Sequence, residues 1–243
     1  MIASARAVRL DSPADGPVPV RFRLRLIRLP GVYRPQEDTW LLAETLGSAA
    51  MPAGARVLDI CTGTGALAVT AARHGAASVM ALDVSRRAVF AAWLNCRLRG
   101  LPVRARRGSV LDGTASGPFD VVLANPPYVP CEPSNVPSGR ARAWDAGPGG
   151  RALLDPLCEG APALLTRQGF LLLVQSELAD VGRSLEQLRA GGLKASVIAR
   201  TWTSFGPVMR GRIGYLEAAG LIEPGQRYEE LVVIRADRTE RLR

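Results

Sequence analysis

The sequence predicts an α/β fold: a doubly wound, mostly parallel sheet with helices on both faces. Three observations predict it. From Arg56 onward, short apolar runs alternate with helix-length stretches, the pattern of successive βα units. The first of these runs passes through Asp59-Ile60-Cys61-Thr62-Gly63-Thr64-Gly65 straight into a helix, a turn suited to a ligand at a strand end. No apolar run approaches the roughly 18 residues of a membrane span, and 47% hydrophobic content supports a packed, water-soluble core.

The elements follow in order. Residues 1–19 hold Ser12, Pro13, Gly16, Pro17 and Pro19 without periodicity and read as a loose leader. Val20, Phe22, Leu24 and Leu26 alternate with Arg21, Arg23 and Arg25, which predicts a strand with one cationic face, ended by Pro30-Gly31. A helix over 36–49 carries Glu37 and Asp38 in its first turn, where the helix dipole favours acids. Strands are expected at 57–60, 79–82, 103–110, 119–124 and 170–174, and helices at 66–74, 86–98, 151–165 and 181–190. Two last strands, 195–201 and 230–234, flank an insertion (203–227) with a short helical stretch near 211–219. One domain over 20–237 with a tail at 238–243 accounts for the 243 residues.

Composition narrows the function classes. The formal charge is 31 − 22 = +9, and Lys194 is the single lysine. Arginine binds phosphate and carboxylate bidentately, which suits an anionic partner such as RNA; a GC-rich coding sequence would give the same bias. Cys61, Cys96, Cys131 and Cys158 form no C-x-x-C pair, so neither a zinc site nor a disulfide framework is expected, and the reducing cytosol is the expected compartment. The N-terminus has no apolar signal region. His74, the only histidine, precedes Gly75 at a helix end, which leaves no Ser/His/Asp or metal-hydrolase arrangement.

The glycine turn points to a nucleoside cofactor. Gly63 and Gly65 permit positive φ and close approach of a ligand to the backbone. Asp83 ends the next strand, where a carboxylate can accept from both hydroxyls of a ribose; Asp83 or Ser85 would otherwise serve as a helix cap. A dinucleotide fingerprint needs a third glycine where Ala68 stands. Asp112 follows the third strand, either facing a base or forming an ordinary Asp-Gly turn with Gly113.

Asn125-Pro126-Pro127-Tyr128 follows the run 119–124. Consecutive prolines cannot continue a parallel strand, so the chain turns out at its carboxyl end, and Pro127 fixes where the Pro126 carbonyl points. An amide or aryl amine is a poor nucleophile because its lone pair is delocalised. Its two N–H groups can bond the Asn125 side-chain oxygen and the Pro126 carbonyl, which orients the nitrogen, while Tyr128 offers a face to the planar group. Neutral hydrogen bonds contribute about 0.5–1.5 kcal/mol each, whereas placement can contribute roughly 7–11 kcal/mol. The motif therefore acts by geometry.

Together these residues resemble a known family. Asp-x-x-x-Gly-x-Gly at Asp59–Gly65 resembles class I methyltransferases. Val32-Tyr33-Arg34-Pro35-Gln36-Glu37-Asp38-Thr39, Asn125-Pro126-Pro127-Tyr128 and Ala143-Trp144-Asp145-Ala146-Gly147-Pro148-Gly149-Gly150-Arg151 are similar, in that order, to the HemK/PrmC family of protein-glutamine methyltransferases, above all its short branch. The resemblance implies a seven-stranded, Rossmann-like methyltransferase sheet with an antiparallel last strand. It implies S-adenosyl-L-methionine as cofactor and S-adenosyl-L-homocysteine as product. Tyr33, Pro35 and Thr39 would close over the cofactor, and Asp59 would meet its methionine end. Cys61, Thr62, Gly63 and Gly65 would form the loop beneath it; many relatives have glycine where Cys61 stands. Asp83 and Val84 would hold the ribose side, Asp112 the adenine amine, and Asn125 would touch both cofactor and acceptor. The acceptor implied is a glutamine of a translation factor or ribosomal protein. Adenine or guanine amines of RNA or DNA, and small-molecule amines, are the alternatives. Short-branch enzymes often need a small activator subunit, and no membrane partner is implied. The chain departs from the bacterial members in lacking their N-terminal helical domain. Its insertion at 203–227 is longer than expected, to be explained by substrate recognition or by packing over the sheet edge.

Overall fold

A computed structural model of the chain describes residues 24–113, 115, 117–134 and 138–239. Seven strands form one sheet in the order β3-β2-β1-β4-β5-β7-β6. They are β1 (Arg56–Ile60), β2 (Ser78–Asp83), β3 (Val103–Arg107), β4 (Phe119–Ala124), β5 (Leu165–Ser176), β6 (Lys194–Ser204) and β7 (Tyr228–Asp237). The pairs β1–β2, β1–β4, β2–β3 and β4–β5 are parallel, while β7 pairs antiparallel with both β5 and β6. The expected mostly parallel α/β sheet with an antiparallel last strand is the sheet observed.

Helices α1 (Glu37–Ser48), α2 (Ala66–Arg73) and α3 (Arg86–Arg97) pack in sequence against one another, and α4 (Leu154–Leu164) packs against α5 (Val181–Ala190). Two helical layers therefore flank the sheet, as right-handed crossovers on both sides of β1 and β4 require. The strands between them are nearly continuous apolar runs because both faces are covered: Val57, Leu58, Val121, Leu123 and Leu171–Val174 are all fully buried. Short helices α6 (Pro207–Arg210) and α7 (Ile213–Ala218) carry a second, smaller cluster of Phe205, Met209, Leu216 and Ile222.

Three expectations need correction. The expected N-terminal strand falls partly on residues 20–23, which lie outside the described residues, and 24–29 is not a strand. Its backbone finds a different partner: the buried Asn95 side chain accepts from the Ile27 N–H and donates to the Ile27 carbonyl, each at 2.8 Å, so a single amide of α3 replaces a ladder. The third strand stops at Arg107 rather than Val110: the Gly108 N–H makes the last ladder bond, to the Asp83 carbonyl at 3.0 Å, and a 3₁₀ turn, Val110–Asp112, follows. The helix expected from Arg151 begins at Leu154. Arg151 is instead a buried anchor, with its guanidinium bonded to Asp155, the Ala179 and Asp180 carbonyls, Ser184 and Gln187.

β1 and β4, the central pair, end side by side at Ile60 and Ala124, which sets the glycine turn next to the proline turn. Gly65 makes this possible. It caps α2 at φ 81°, and a Cβ there would lie 3.0 Å from the Ala92 Cα, so α3 packs directly on the loop. Gly65→Ala combines a left-handed φ with a steric conflict and is expected to cost about 1–3 kcal/mol, seen as a fall of roughly 3–10 °C in Tm. Unchanged thermal unfolding would show that α3 yields freely at this contact.

Candidate active site

The carboxyl ends of β1, β2 and β4 open into a cavity of about 380 Å³. That volume falls within the roughly 300–1,000 Å³ common for small-molecule sites. Its wall includes Tyr33, Asp38, Cys61, Gly63, Asp83 and Val84 on the cofactor side, and Asn125, Pro126, Pro127 and Tyr128 on the acceptor side. The two halves read separately in the sequence thus face one space. Asp59, Thr62 and Gly65 do not line it, nor do Pro35, Thr39 and Asp112.

The glycine loop is tied down by two carboxylates. Asp59 is fully buried; its Oδ2 accepts from Thr62 Oγ1 at 2.5 Å and from the Ala68 N–H at 3.0 Å, while Oδ1 has no partner. Burial raises its pKa to about 7, against the lowering effect of the Thr62 and Ala68 bonds and with a further rise from the Asp83 charge. Asp83 accepts from the Gly63 N–H at 3.0 Å and from the Ser85 N–H at 2.9 Å, and burial raises its pKa. The helix-capping alternative falls to Ser85, whose Oγ accepts from the Ala88 N–H. Cys61 sits at φ 59°, a left-handed conformation that suits glycine, and burial drives its thiol pKa upward, so it is a protonated packing residue.

A ligand carrying hydroxyl and amine donors fits this arrangement, with Gly63 and Asp83 at the cavity wall and Asp59 buried beneath it. The orphan Asp59 oxygen lacks a donor, Gly63 exposes backbone without a side chain, and both strand-end carboxylates are acceptors. Asp112 takes a different place: its carboxylate accepts the Ser109 N–H at 2.9 Å within its own turn, and Gly108, Ser109 and Val110 form the wall there.

The acceptor side is held from three directions. Val129 N–H donates to the Trp144 carbonyl at 2.8 Å, Ala146 N–H to the Val129 carbonyl at 3.1 Å, and Cys131 N–H to the Gly147 carbonyl at 3.0 Å. This short ladder leaves room for no side chain at Gly150, where a Cβ would lie 2.2 Å from the Tyr128 carbonyl oxygen. The insertion braces the same loop from outside. Arg212, at the start of α7, donates to the Pro130 carbonyl at 3.0 Å and to buried Asp145 at 2.5 Å, and Tyr215 donates to the Pro148 carbonyl at 3.0 Å. Val129 packs on the α6–α7 cluster.

From below, Asp38 joins the two sides. Its Oδ2 accepts from Tyr33 Oη at 2.7 Å and from Tyr128 Oη at 3.1 Å, and its Oδ1 accepts from both the Thr39 N–H and Thr39 Oγ1. Asn125 Nδ2 donates to Thr39 Oγ1 at 3.2 Å. Burial first, then the Asp38 charge, raises the pKa of both tyrosines well above the ordinary value, so both remain donors. Glu229 on β7 is buried nearby, its pKa raised to about 7 by burial against the lowering effect of Ser176.

Sequence reasoning placed Asp38 in a helix's first turn and within the family-like segment 32–39 without a role of its own, and passed over Glu229. A signal existed for Asp38: with Leu41, Leu42, Thr45 and Leu46 it follows the i, i+3, i+4 spacing of the buried face of α1. Glu229 had none, since its neighbours come from distant elements.

Comparison with known proteins agrees with this geometry. Residues 23–136 match the methyltransferase small domain family. A protein of Methanocaldococcus jannaschii, provisionally named a protein N5-glutamine methyltransferase, is 31% identical over 74% of this chain and 90% of its own length. The release factor glutamine methyltransferase of Deinococcus radiodurans is 37% identical over 68% of this chain, but the match spans only 61% of that enzyme. Among solved structures, the E. cuniculi Mtq2–Trm112 complex, responsible for methylation of the eRF1 translation termination factor, contains a chain of the same fold. The two share a TM-score of 0.59 and 21% identity over 86% of this chain and 99% of that one.

The raised pKa of Asp59 gives a pH dependence. The ordinary value is 3.8 and the folded value about 7. Between them the folded chain holds a proton that the unfolded chain has lost, so the ligand-free protein loses stability as pH rises through that window, by at most about 1.4 kcal/mol per pH unit. Glu229 acts in the same direction. Asp59→Asn should therefore flatten part of this slope in denaturant unfolding between pH 4 and 7. A slope identical to that of the parent chain would exclude Asp59 as its source.

Proposed function

Because the chain belongs to the HemK/PrmC family of glutamine methyltransferases, we propose that it moves a methyl group from S-adenosyl-L-methionine to a glutamine side-chain nitrogen of a protein substrate. The observation that carries this reading is the shared cavity, in which the glycine loop and the Asn125–Tyr128 turn face each other. The sulfonium cofactor supplies an already activated methyl group, so the chain's own work is placement.

The contacts support the following roles. Asp59, buried beneath the cavity wall, would serve the cofactor's methionine end through its amino group or a water, with Thr62 and Ala68 fixing the carboxylate. Asp83 has both oxygens engaged by backbone N–H groups and retains acceptor capacity for a ribose hydroxyl. Val84, half exposed on the cavity rim, and Val110 offer apolar surface to a base. Asp112, held at one oxygen by the Ser109 N–H and outside the cavity lining, would have to turn toward the cavity to meet an adenine amine. On the acceptor side, the Asn125 oxygen and the Pro126 carbonyl would accept the two N–H groups of a primary amide. The phenol of Tyr128, kept protonated and anchored at Asp38, would hold its ring against the amide plane. No carboxylate is needed to deprotonate the amide beforehand, since the proton becomes acidic once the methyl is attached. The insertion would serve the substrate indirectly, by bracing the loop from Pro130 to Pro148, since none of its residues lines the cavity.

Two measurements test the reading. The protein is incubated with radiolabelled methyl donor and cell extract, which also supplies any activator subunit, and the product is treated with protease or nuclease. Label lost to protease and kept after nuclease is expected; the reverse would move the acceptor to nucleic acid. Asn125→Ala should reduce turnover by about 100-fold or more while the affinity for S-adenosyl-L-homocysteine in calorimetry stays within about threefold. Near-normal turnover would remove Asn125 from the chemistry.

A further inference from the structure

An amide side chain such as Asn125 is nearly symmetric in shape but not in chemistry. One end accepts hydrogen bonds and the other donates them. Accepting from a substrate N–H demands that its oxygen, not its nitrogen, face the cavity. A half-turn about the last side-chain bond would present two N–H donors to the N–H groups of a substrate amide, and binding would fail.

The structure contains a device that sets this polarity. Asp38 is 4% exposed and its carboxylate lies among donors only: Tyr33 Oη, Tyr128 Oη, the Thr39 N–H and Thr39 Oγ1. Four bonds match the about four acceptor sites of an ionised carboxylate. A carboxylate donates nothing, so the single hydroxyl proton of Thr39 points at Asp38, 3.1 Å away. The Thr39 oxygen then has only lone pairs for its other neighbour. That neighbour is the Asn125 side chain at 3.2 Å, and only its Nδ2 end can donate. The oxygen of Asn125 is the end left for the cavity.

We propose that Asp38 and Thr39 are positioning residues that lock the amide of Asn125 with its acceptor toward the substrate. Asp38 holds Tyr128 in the same act, so one buried charge orders two residues of the acceptor turn. Neither acts on the reacting atoms; both act through Asn125 and Tyr128. This assignment rests on the reading of the site as one that binds a substrate N–H, and it gives Thr39 a different duty from the cofactor contact that the family resemblance implies.

The test compares Thr39→Val, which keeps shape and loses the hydroxyl, with Thr39→Ser, which keeps the hydroxyl. Turnover is measured on the fraction labelled in cell extract, at saturating methyl donor. Thr39→Val should lower it by about 10- to 100-fold, with S-adenosyl-L-homocysteine affinity within about threefold of the parent and Thr39→Ser close to the parent on both. The side-chain ¹H–¹⁵N pair of Asn125, assigned by its loss in Asn125→Ala, should shift in Thr39→Val and hold in Thr39→Ser. Full turnover in Thr39→Val would overturn the proposal. So would a loss confined to cofactor affinity, or an Asn125 resonance indifferent to the Thr39 hydroxyl. If the parent chain labels no acceptor, the glutamine reading fails, while the resonance comparison still judges the polarity lock.

Discussion

The constraint on which the site depends is a buried carboxylate that can only accept. Asp38 enters the interior on the first turn of α1, a position that would place an acid in water had the helix been rotated. An unpaired charge there would be costly. Four donors make it tolerable, and they come from three separate stretches: the segment before α1, α1 itself and the turn after β4. Satisfying one charge therefore fixes the relative positions of the cofactor-side cover and the acceptor turn. Removing any donor leaves the charge short, which couples the groups more tightly than the energy of single neutral bonds would suggest.

The rest of the site is organised around strand ends. Parallel β1, β2 and β4 deliver Asp59, Asp83 and Asn125 to one rim, and the glycine loop lies between the first two. Asp59 and Asp83 both carry raised pKa values from burial, so the ligand-free rim is held in a state that a cationic, hydroxyl-bearing ligand would relieve. Opposite them, the acceptor loop has little regular structure of its own. It gains rigidity from the ladder between 129–131 and 144–147 and from the Arg212 fork behind it. Much of the stiffness of the site therefore comes from a segment that never touches the cavity.

Most of the sheet was legible because buried parallel strands are written as apolar runs with clear turns between them. The span 119–124 and the helix 181–190 coincide with the structure, and the proline turn fell where two prolines forbid a strand. The glycine loop was legible because Gly63 and Gly65 adopt the positive φ that motivates glycine there. What failed has a common cause, a side chain replacing a backbone partner or the reverse. Asn95 took the bonds expected of a strand around Ile27, and Arg151 left a helix to bond carbonyls 28 and 29 residues away. Local pattern holds no record of such partners. Glu229 is the extreme case, buried on β7 beside Ser176 of β5.

The position of β7 bears on how the chain is made. It lies between β5 and β6, although it follows both in sequence. Until residues 228–237 leave the ribosome, β5 and β6 have no bridge to each other and each presents an open row of peptide groups to its surroundings. By then every residue of both helical layers and of the glycine loop has been made, while the sheet still awaits the strand that joins β5 to β6.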